Sequence, residues 1–284
     1  MKRILLPTDF SENAYNAIKY AVQLLKQEEC MFFILHAYSP IVLSAGGMYD
    51  SYSAMSFQKI AQENAETKLT ELEETLLKEF PSSKHTFTFK ASFNLLISEM
   101  ITIAEEKMID FVIMGTQGAT GAIEVFLGTH TMFAIKKMKC PVLAVPANFE
   151  YEAPTEILFP TDYKINRKNK YFSILRNLCI DHLSKLHILN VYYGIPLTEE
   201  QENLKTFLNT YFIDSNPMFH IAEDNDIIGA VEKFQIRTKV NFLVMFHNKH
   251  TFFENILFKP VINQLAYHTH VPFLVIPSVE IQKS

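Results

Sequence analysis

The sequence predicts an α/β protein built from two tandem, doubly wound domains, and three observations carry that prediction. Short apolar runs alternate with amphipathic helical stretches, the pattern of a parallel sheet covered on both faces. The runs recur in the same order in the second half of the chain. The 284 residues, 48% of them hydrophobic, suffice for two cores in domains of roughly 150 residues each.

The elements of the first copy read in order along the chain. Ile4–Leu6 is a buried strand, and Ser11 is a fitting N-cap for a helix whose apolar positions Ala14, Ala17, Ile18, Ala21, Val22 and Leu25 fall on one stripe. Phe32–Leu35, Phe87–Phe89, Phe111–Met114 and Val142–Val145 are the next four strands. Glu63–Lys78 and Leu95–Met108 carry helical spacing between them, and a last helix starts at Gly128-Thr129. The second copy has strands near Ile157–Phe159, Leu186–Val191, Met218–Ile221, Phe242–Phe246 and Phe273–Ile276, with a shorter second helix around Glu199–Tyr211. The polar, proline-containing link Asn148–Pro154 divides a domain at 1–147 from one at 154–278.

The repeat is specific. KRILLPTDF at 2–10 is answered by TEILFPTDY at 155–163, which sets Asp162 opposite Asp9 at an offset of 162 − 9 = 153. DFVIMG at 110–115 is answered by NFLVMF at 241–246 and CPVLAVP at 140–146 by VPFLVIP at 271–277, both at an offset of 241 − 110 = 131. The missing 153 − 131 = 22 residues trace to the first copy, where IVLSAGGMYDSYSAMS (41–56) has no later counterpart. Its Gly46-Gly47 and its Ser and Tyr content read either as a plain surface insertion or as a mobile loop covering a site.

A net charge of −5 argues against a nucleic-acid or anionic-membrane partner, either of which favours a basic face. Cys30, Cys140 and Cys179 are odd in number and far apart, so no disulfide framework is expected and a reducing cytoplasm is the simplest location. Pro7-Thr8-Asp9 stops the first apolar run before a signal-peptide core is complete, and no apolar stretch nears the roughly 20 residues of a membrane span.

The chemistry gathers where ligands collect in open α/β sheets, at the carboxyl ends of the strands. Asp9 follows the first strand, His36-Ala37 ends the second, and Gly115, Gly118 and Gly128-Thr129 follow the fourth. Glycine tolerates a positive φ and lets oxygen atoms approach bare backbone, while a helix start at Thr129 offers unpaired N–H groups and partial positive charge. The hydroxyls of Thr129 and Thr131 add donors. An acidic protein can hold a polyphosphate in this way, because amides supply the contacts. Asp9 is equally readable as an N-cap.

The second copy has lost the pattern. Phe246, Lys249, Lys259 and Pro260 stand where Gly115, Gly118, Gly128 and Thr129 stand in the first. A phenylalanine disfavours positive φ and adds a ring where phosphate would lie, and Pro260 removes a donor, so this copy is expected not to bind the same ligand. A metal site from His247, His250, His268 and His270 is a weaker reading, with no cysteines beside it.

With those residues in view, MGTQGATGAIEVFLGTHTMFAIKKMKCPVLAVP resembles the C-terminal half of a universal stress protein domain of the nucleotide-binding type, matching G-x2-G-x9-G-[ST] at every fixed position. ILLPTDFSENA and ILHAY resemble the same family, and the whole chain resembles its tandem form. The resemblance implies five-stranded parallel sheets of order 3-2-1-4-5, paired through their last strands as an intramolecular pseudo-dimer. It also implies ATP, with or without magnesium, as ligand. Pro7, Thr8, Asp9 and the backbone of Ala37 would meet adenine or ribose. Gly115, Gly118, Gly128 and Thr129 would hold the phosphates, with Met114, Thr116, Gln117, His130 and Thr131 adjacent. Gln117 departs from the family, whose members often place a basic residue there.

The implied role is an ATP-binding regulator or sensor of the stress response, hydrolysing slowly or not at all. Asp9, His36 and His130 are the only nearby titratable groups, and there is no Walker A, kinase or nucleophile-elbow motif. An ATP-cleaving or nucleotide-transferring enzyme and a non-binding scaffold remain alternatives. Further self-association and an unknown protein partner stay open.

Overall fold

In the computed structural model, described over residues 1–38, 51–116, 128–192, 194–223, 226–247 and 270–277, ten strands form one continuous sheet. The first half supplies β1 (Lys2–Pro7), α1 (Glu12–Leu24), β2 (Cys30–Tyr38), α2 (Ser51–Glu79), β3 (His85–Phe93), α3 (Leu96–Glu106), β4 (Phe111–Gly115), α4 (Thr129–Lys137) and β5 (Val142–Val145). The second supplies β6 (Glu156–Pro160), α5 (Phe172–Asp181), β7 (Lys185–Tyr192), α6 (Glu199–Tyr211), β8 (Met218–Glu223), α7 (Ile227–Thr238), β9 (Phe242–His247) and β10 (Phe273–Pro277). The sheet order is β3-β2-β1-β4-β5-β10-β9-β6-β7-β8. Each half is therefore ordered 3-2-1-4-5.

The halves meet at β5 and β10, the one antiparallel ladder among the described strands. Leu143 lies opposite Leu274, its own counterpart in the repeat (274 − 143 = 131), with Phe273 opposite Ala144 and Val275 opposite Val142. The pairing is thus self-complementary about that leucine pair, like the two-fold interface of a homodimer.

Central strands are buried on both faces. Ile4, Leu5 and Leu6 expose nothing, nor do Ile157, Leu158 and Phe159. Residues alternate between two layers, one under α1, α2, α5 and α6 and the other under α3, α4 and α7. Each side chain removed from water in this way contributes about 1.5–3 kcal/mol of gross burial energy. Helix α1 keeps the anticipated stripe, and the Ser11 hydroxyl caps it by accepting from the Ala14 N–H at 3.2 Å.

One sequence expectation changes. The second helix was expected over 63–78, but α2 begins at Ser51, so residues 51–56 of the extra segment are helical; residues 41–50 lie outside the described residues. The link between the halves packs on the first half. Phe149 and Tyr151 pack edge-on against Tyr20 of α1, at 6.1 and 5.3 Å, and Asn16 Nδ2 donates to the Phe149 carbonyl at 3.0 Å. Aromatic burial outweighs the polarity of the flanking residues, and the link is held against the first half.

Candidate functional site

The carboxyl ends of β1, β2 and β4 stand side by side because β1 pairs with β2 on one flank and β4 on the other. The turn after β1 is built locally. Thr8 is buried, its N–H donates to the Leu35 carbonyl at 2.8 Å, and its Oγ1 accepts from the Phe10 N–H at 3.0 Å. His36 Nδ1 lies 2.8 Å from the Thr8 carbonyl, so that nitrogen carries the proton and donates. Phe10 is held at φ +64°, its ring 4.4 Å from that of His36, and Lys68 Nζ lies 5.4 Å from the Phe10 ring centroid.

Asp9 is exposed, and its Oδ1 accepts from both the N–H and the hydroxyl of Ser11, at 3.0 and 2.5 Å. The carboxylate therefore shapes the entry to α1 as well as standing at the rim. Pro7 is buried and Ala37 sits in the β2 ladder opposite Ser92, so both present backbone. Met114 buries its side chain in the layer under α3 and α4.

Gly115 is required for a different reason from the one its turn position implied. Its φ is not positive, but a Cβ there would stand 2.5 Å from Asn13 Nδ2 and 3.1 Å from the Asn13 carbonyl oxygen. The glycine lets the first turn of α1 close on the end of β4. Gly128 also keeps a negative φ, −55°, as N-cap of α4, and its N–H donates to the Thr116 carbonyl. Thr131 is corrected as well: its hydroxyl is buried and donates to the Gly115 carbonyl at 2.8 Å, tying α4 to β4 rather than facing a ligand.

Among the described residues no side chain caps α4, whose N-cap is Gly128, and Thr129 and His130 are exposed. Beside it Thr116 is 1% exposed, and its Oγ1 has no hydrogen-bond partner. An exposed helix start with a glycine N-cap suits an anionic oxygen, so the described residues fit a phosphate group there. Gln117 and Gly118 lie outside the described residues, and no group of three metal-ligating side chains occurs among the described ones.

In the second half the turn is copied and the site is not. The Tyr163 N–H donates to Thr161 Oγ1 at 2.9 Å with φ +57°, the Thr161 N–H donates to the Leu189 carbonyl, and Asn190 Nδ2 replaces His36 in donating to the Thr161 carbonyl at 2.9 Å. Burial pushes the Asp162 carboxyl up, whereas its counterpart Asp9 is exposed. Phe246 does not project where a phosphate would lie. It is buried, 5.2 Å from the ring of Phe159 and 4.6 Å from that of Phe172. Lys249, His250, Lys259, Pro260 and His268 lie outside the described residues.

The sequence model of the Universal stress protein family matches residues 1–146. The chain belongs to the universal stress protein family. A universal stress protein of Methanocaldococcus jannaschii is 31% identical over 154 residues, covering 51% of this chain and 94% of that protein. The fold of the full length is similar to a universal stress protein structure from Archaeoglobus fulgidus, with a TM-score of 0.66 and 16% identity over 97% of this chain and 98% of that one. It is also similar to a functionally unknown protein from Pseudomonas aeruginosa, with a TM-score of 0.61 and 12% identity over 98% of this chain and 93% of that one. The tandem universal stress protein fold thus accounts for both halves.

Sequence reading missed a polar row in the second half. Glu156 on β6, His187 on β7 and His220 on β8 form a chain, with His187 Nε2 2.7 Å from Glu156 Oε2 and His187 Nδ1 3.0 Å from His220 Nε2. Their signal was a shared sheet face at neighbouring register positions, which appears only once the strands are aligned.

Proposed function

We propose that the first half binds an adenine nucleotide, ATP with or without magnesium, at the carboxyl ends of β1, β2 and β4, and that the bound ligand acts as a stress-response signal. The exposed start of α4, with Gly128 as its N-cap, beside the end of β4 carries this reading. The Gly115-x2-Gly118-x9-Gly128-Thr129 pattern supports it from the sequence. Pro7, Thr8, Asp9 and Ala37 form the adenine and ribose side. Met114, Thr116, Gln117, His130 and Thr131 surround the phosphate side. Thr131 acts by fixing α4 and Asp9 in part by shaping the turn. The unit at 1–147 is the binding domain and the one at 154–278 its silent partner.

Retention rather than turnover fits residues whose hydrogen bonds go to their own backbone, since hydrolysis needs a positioned base and a stabiliser at the γ-phosphate. The test is release of ligand from natively purified protein, followed by calorimetry and thermal shift with ATP-Mg. An adenine nucleotide in the extract, and a stabilisation of about 2.7 kcal/mol at 100 times the dissociation constant, are expected. No nucleotide and no shift would overturn the reading. Sustained phosphate release abolished by Asp9→Ala would replace the sensor with an enzyme.

A further inference from the structure

A second hollow lies on the other side of the first half, in a place that the second half fills with its own side chains. The cavity, about 390 Å³, runs along β2 and β3 beside α3, with Met31, Phe33 and Ile103 as its apolar lining and Arg3, Lys90, Glu106 and Lys107 as its charged lining. The size is that of a small-molecule site. It stands apart from the strand ends proposed for the nucleotide, since Arg3 is the second residue of β1 and Lys107 ends α3.

Register gives the matching positions. Arg3 lies opposite Met31 as Glu156 lies opposite Lys185, and Phe33 lies opposite Thr88 as His187 lies opposite Met218. Lys90 falls where His220 falls, each paired with the matching leucine, Leu35 or Leu189. Helices α3 and α7 align through the same exit turn, in which Ile109 donates to the Ala104 carbonyl and Val240 to the Gln235 carbonyl. Ile103 therefore matches Phe234, and Glu106 matches Arg237.

In the second half these positions complete one another. The Phe234 ring lies 5.6 Å from His187 and 4.8 Å from His220, and Glu156 provides the carboxylate that His187 bonds. In the first half the Phe33 ring remains. The rings of His220 and Phe234 are replaced by an extended lysine and an isoleucine, and the carboxylate by a guanidinium. What the hollow lacks is two rings, and its charges are rearranged: Arg3 stands where Glu156 does and Glu106 where Arg237 does, so Arg3 and Lys107 outnumber one carboxylate at the rim.

We propose that this groove binds a small aromatic carboxylate, its rings on the floor formed by Met31, Phe33 and Ile103 and its anionic group toward Arg3 and Lys107. Arg3 commits one nitrogen, Nη1, to the Lys107 carbonyl at 2.9 Å, which holds the guanidinium at the rim. Lys90 pairs with Glu99 at 2.7 Å, so Arg3, with Lys107 beside it, supplies the positive charge that faces the ligand against Glu106. This inference stands independently of nucleotide binding.

The experiment is calorimetric titration of the full chain with 2-naphthoate and, in parallel, with uncharged naphthalene-2-methanol. Saturable single-site binding of the carboxylate is expected, with the alcohol weaker. Ile103→Phe, which restores the ring present in the second half, and Arg3→Glu, which restores its charge, should each weaken naphthoate by at least about tenfold. Arg3→Glu should leave the alcohol unchanged. If Ile103→Phe does not fold, Arg3→Glu with circular dichroism decides alone. Absence of saturable binding, binding that survives Arg3→Glu, or an alcohol as tight as the carboxylate would overturn the proposal.

Discussion

The end of β4 and the end of β9 are the same place in a duplicated fold, and they solve the same packing problem in opposite ways. After β1 the chain needs only the residues between Pro7 and Glu12 to enter α1, whose Asn13 then crowds Gly115. After β6 it runs from Pro160 to Phe172 before α5 begins. That longer entry removes the crowding, and the vacated volume is taken by Phe246 packed on Phe172 and Phe159. The comparison teaches that the glycine and the phenylalanine each follow from where the neighbouring helix starts. The glycine stays in the half whose helix stays close.

The largest break in this comparison comes from Phe246→Ala. Removing a buried ring from that aromatic cluster should cost about 3–5 kcal/mol, read as a lowered urea midpoint, and should not create nucleotide binding in the second half. Gly115→Ala should cost about 1–3 kcal/mol, because its methyl meets both the side chain and the carbonyl of Asn13. Adding Asn13→Ala should recover part of that loss in a double-mutant cycle. If Gly115→Ala is neutral, the close approach of α1 is not what the glycine serves.

Thr129→Glu separates binding from folding. A carboxylate in the exposed first turn of α4 favours the helix by about 0.3–1 kcal/mol but repels phosphate. ATP affinity should fall at least about tenfold with the melting temperature unchanged or raised. Equal ATP affinity would move the phosphates elsewhere.

The histidine row gives a pH dependence confined to the second half. Burial, with help from His187 and Arg237, holds the His220 imidazole below its ordinary value of 6.5. The unfolded chain thus takes up a proton before the folded one does. Stability is full above that value and is lost as the pH falls below it. Urea midpoints at about pH 7.5 and about pH 6 should show the drop, and His220→Phe should reduce it, the remainder coming from His182, whose imidazole burial also holds down. The smallest effect is Asp162→Asn, which removes a carboxyl raised by burial and should stabilise the protein at neutral pH by less than about 1 kcal/mol. Asp9→Asn at the exposed counterpart should differ by less still.

Strands, helices and the repeat were legible because their signals are local: apolar runs, a helical stripe after Ser11, and phrases recurring at fixed offsets. The reasons for individual residues were less legible. Gly115 was placed at the site by its spacing, but its steric purpose depends on Asn13, 102 residues away (115 − 13). Thr131 was read as a ligand donor because nothing local shows that its hydroxyl meets the Gly115 carbonyl. Histidines clustered near the C-terminus drew attention, while His187 and His220, 33 residues apart, form the contact.

The sequence by itself determined the alternation of elements, their duplication and the glycine pattern of the first half, since each depends on neighbours along the chain. Only the tertiary structure decided which spaces between layers are closed by protein atoms and which stay open. Those spaces are set by helix entry points and cross-strand register, sums over distant packing contacts that no single stretch of residues encodes. The opposed fates of Gly115 and Phe246, and of the Arg3 hollow and the filled row at Glu156, follow from that geometry.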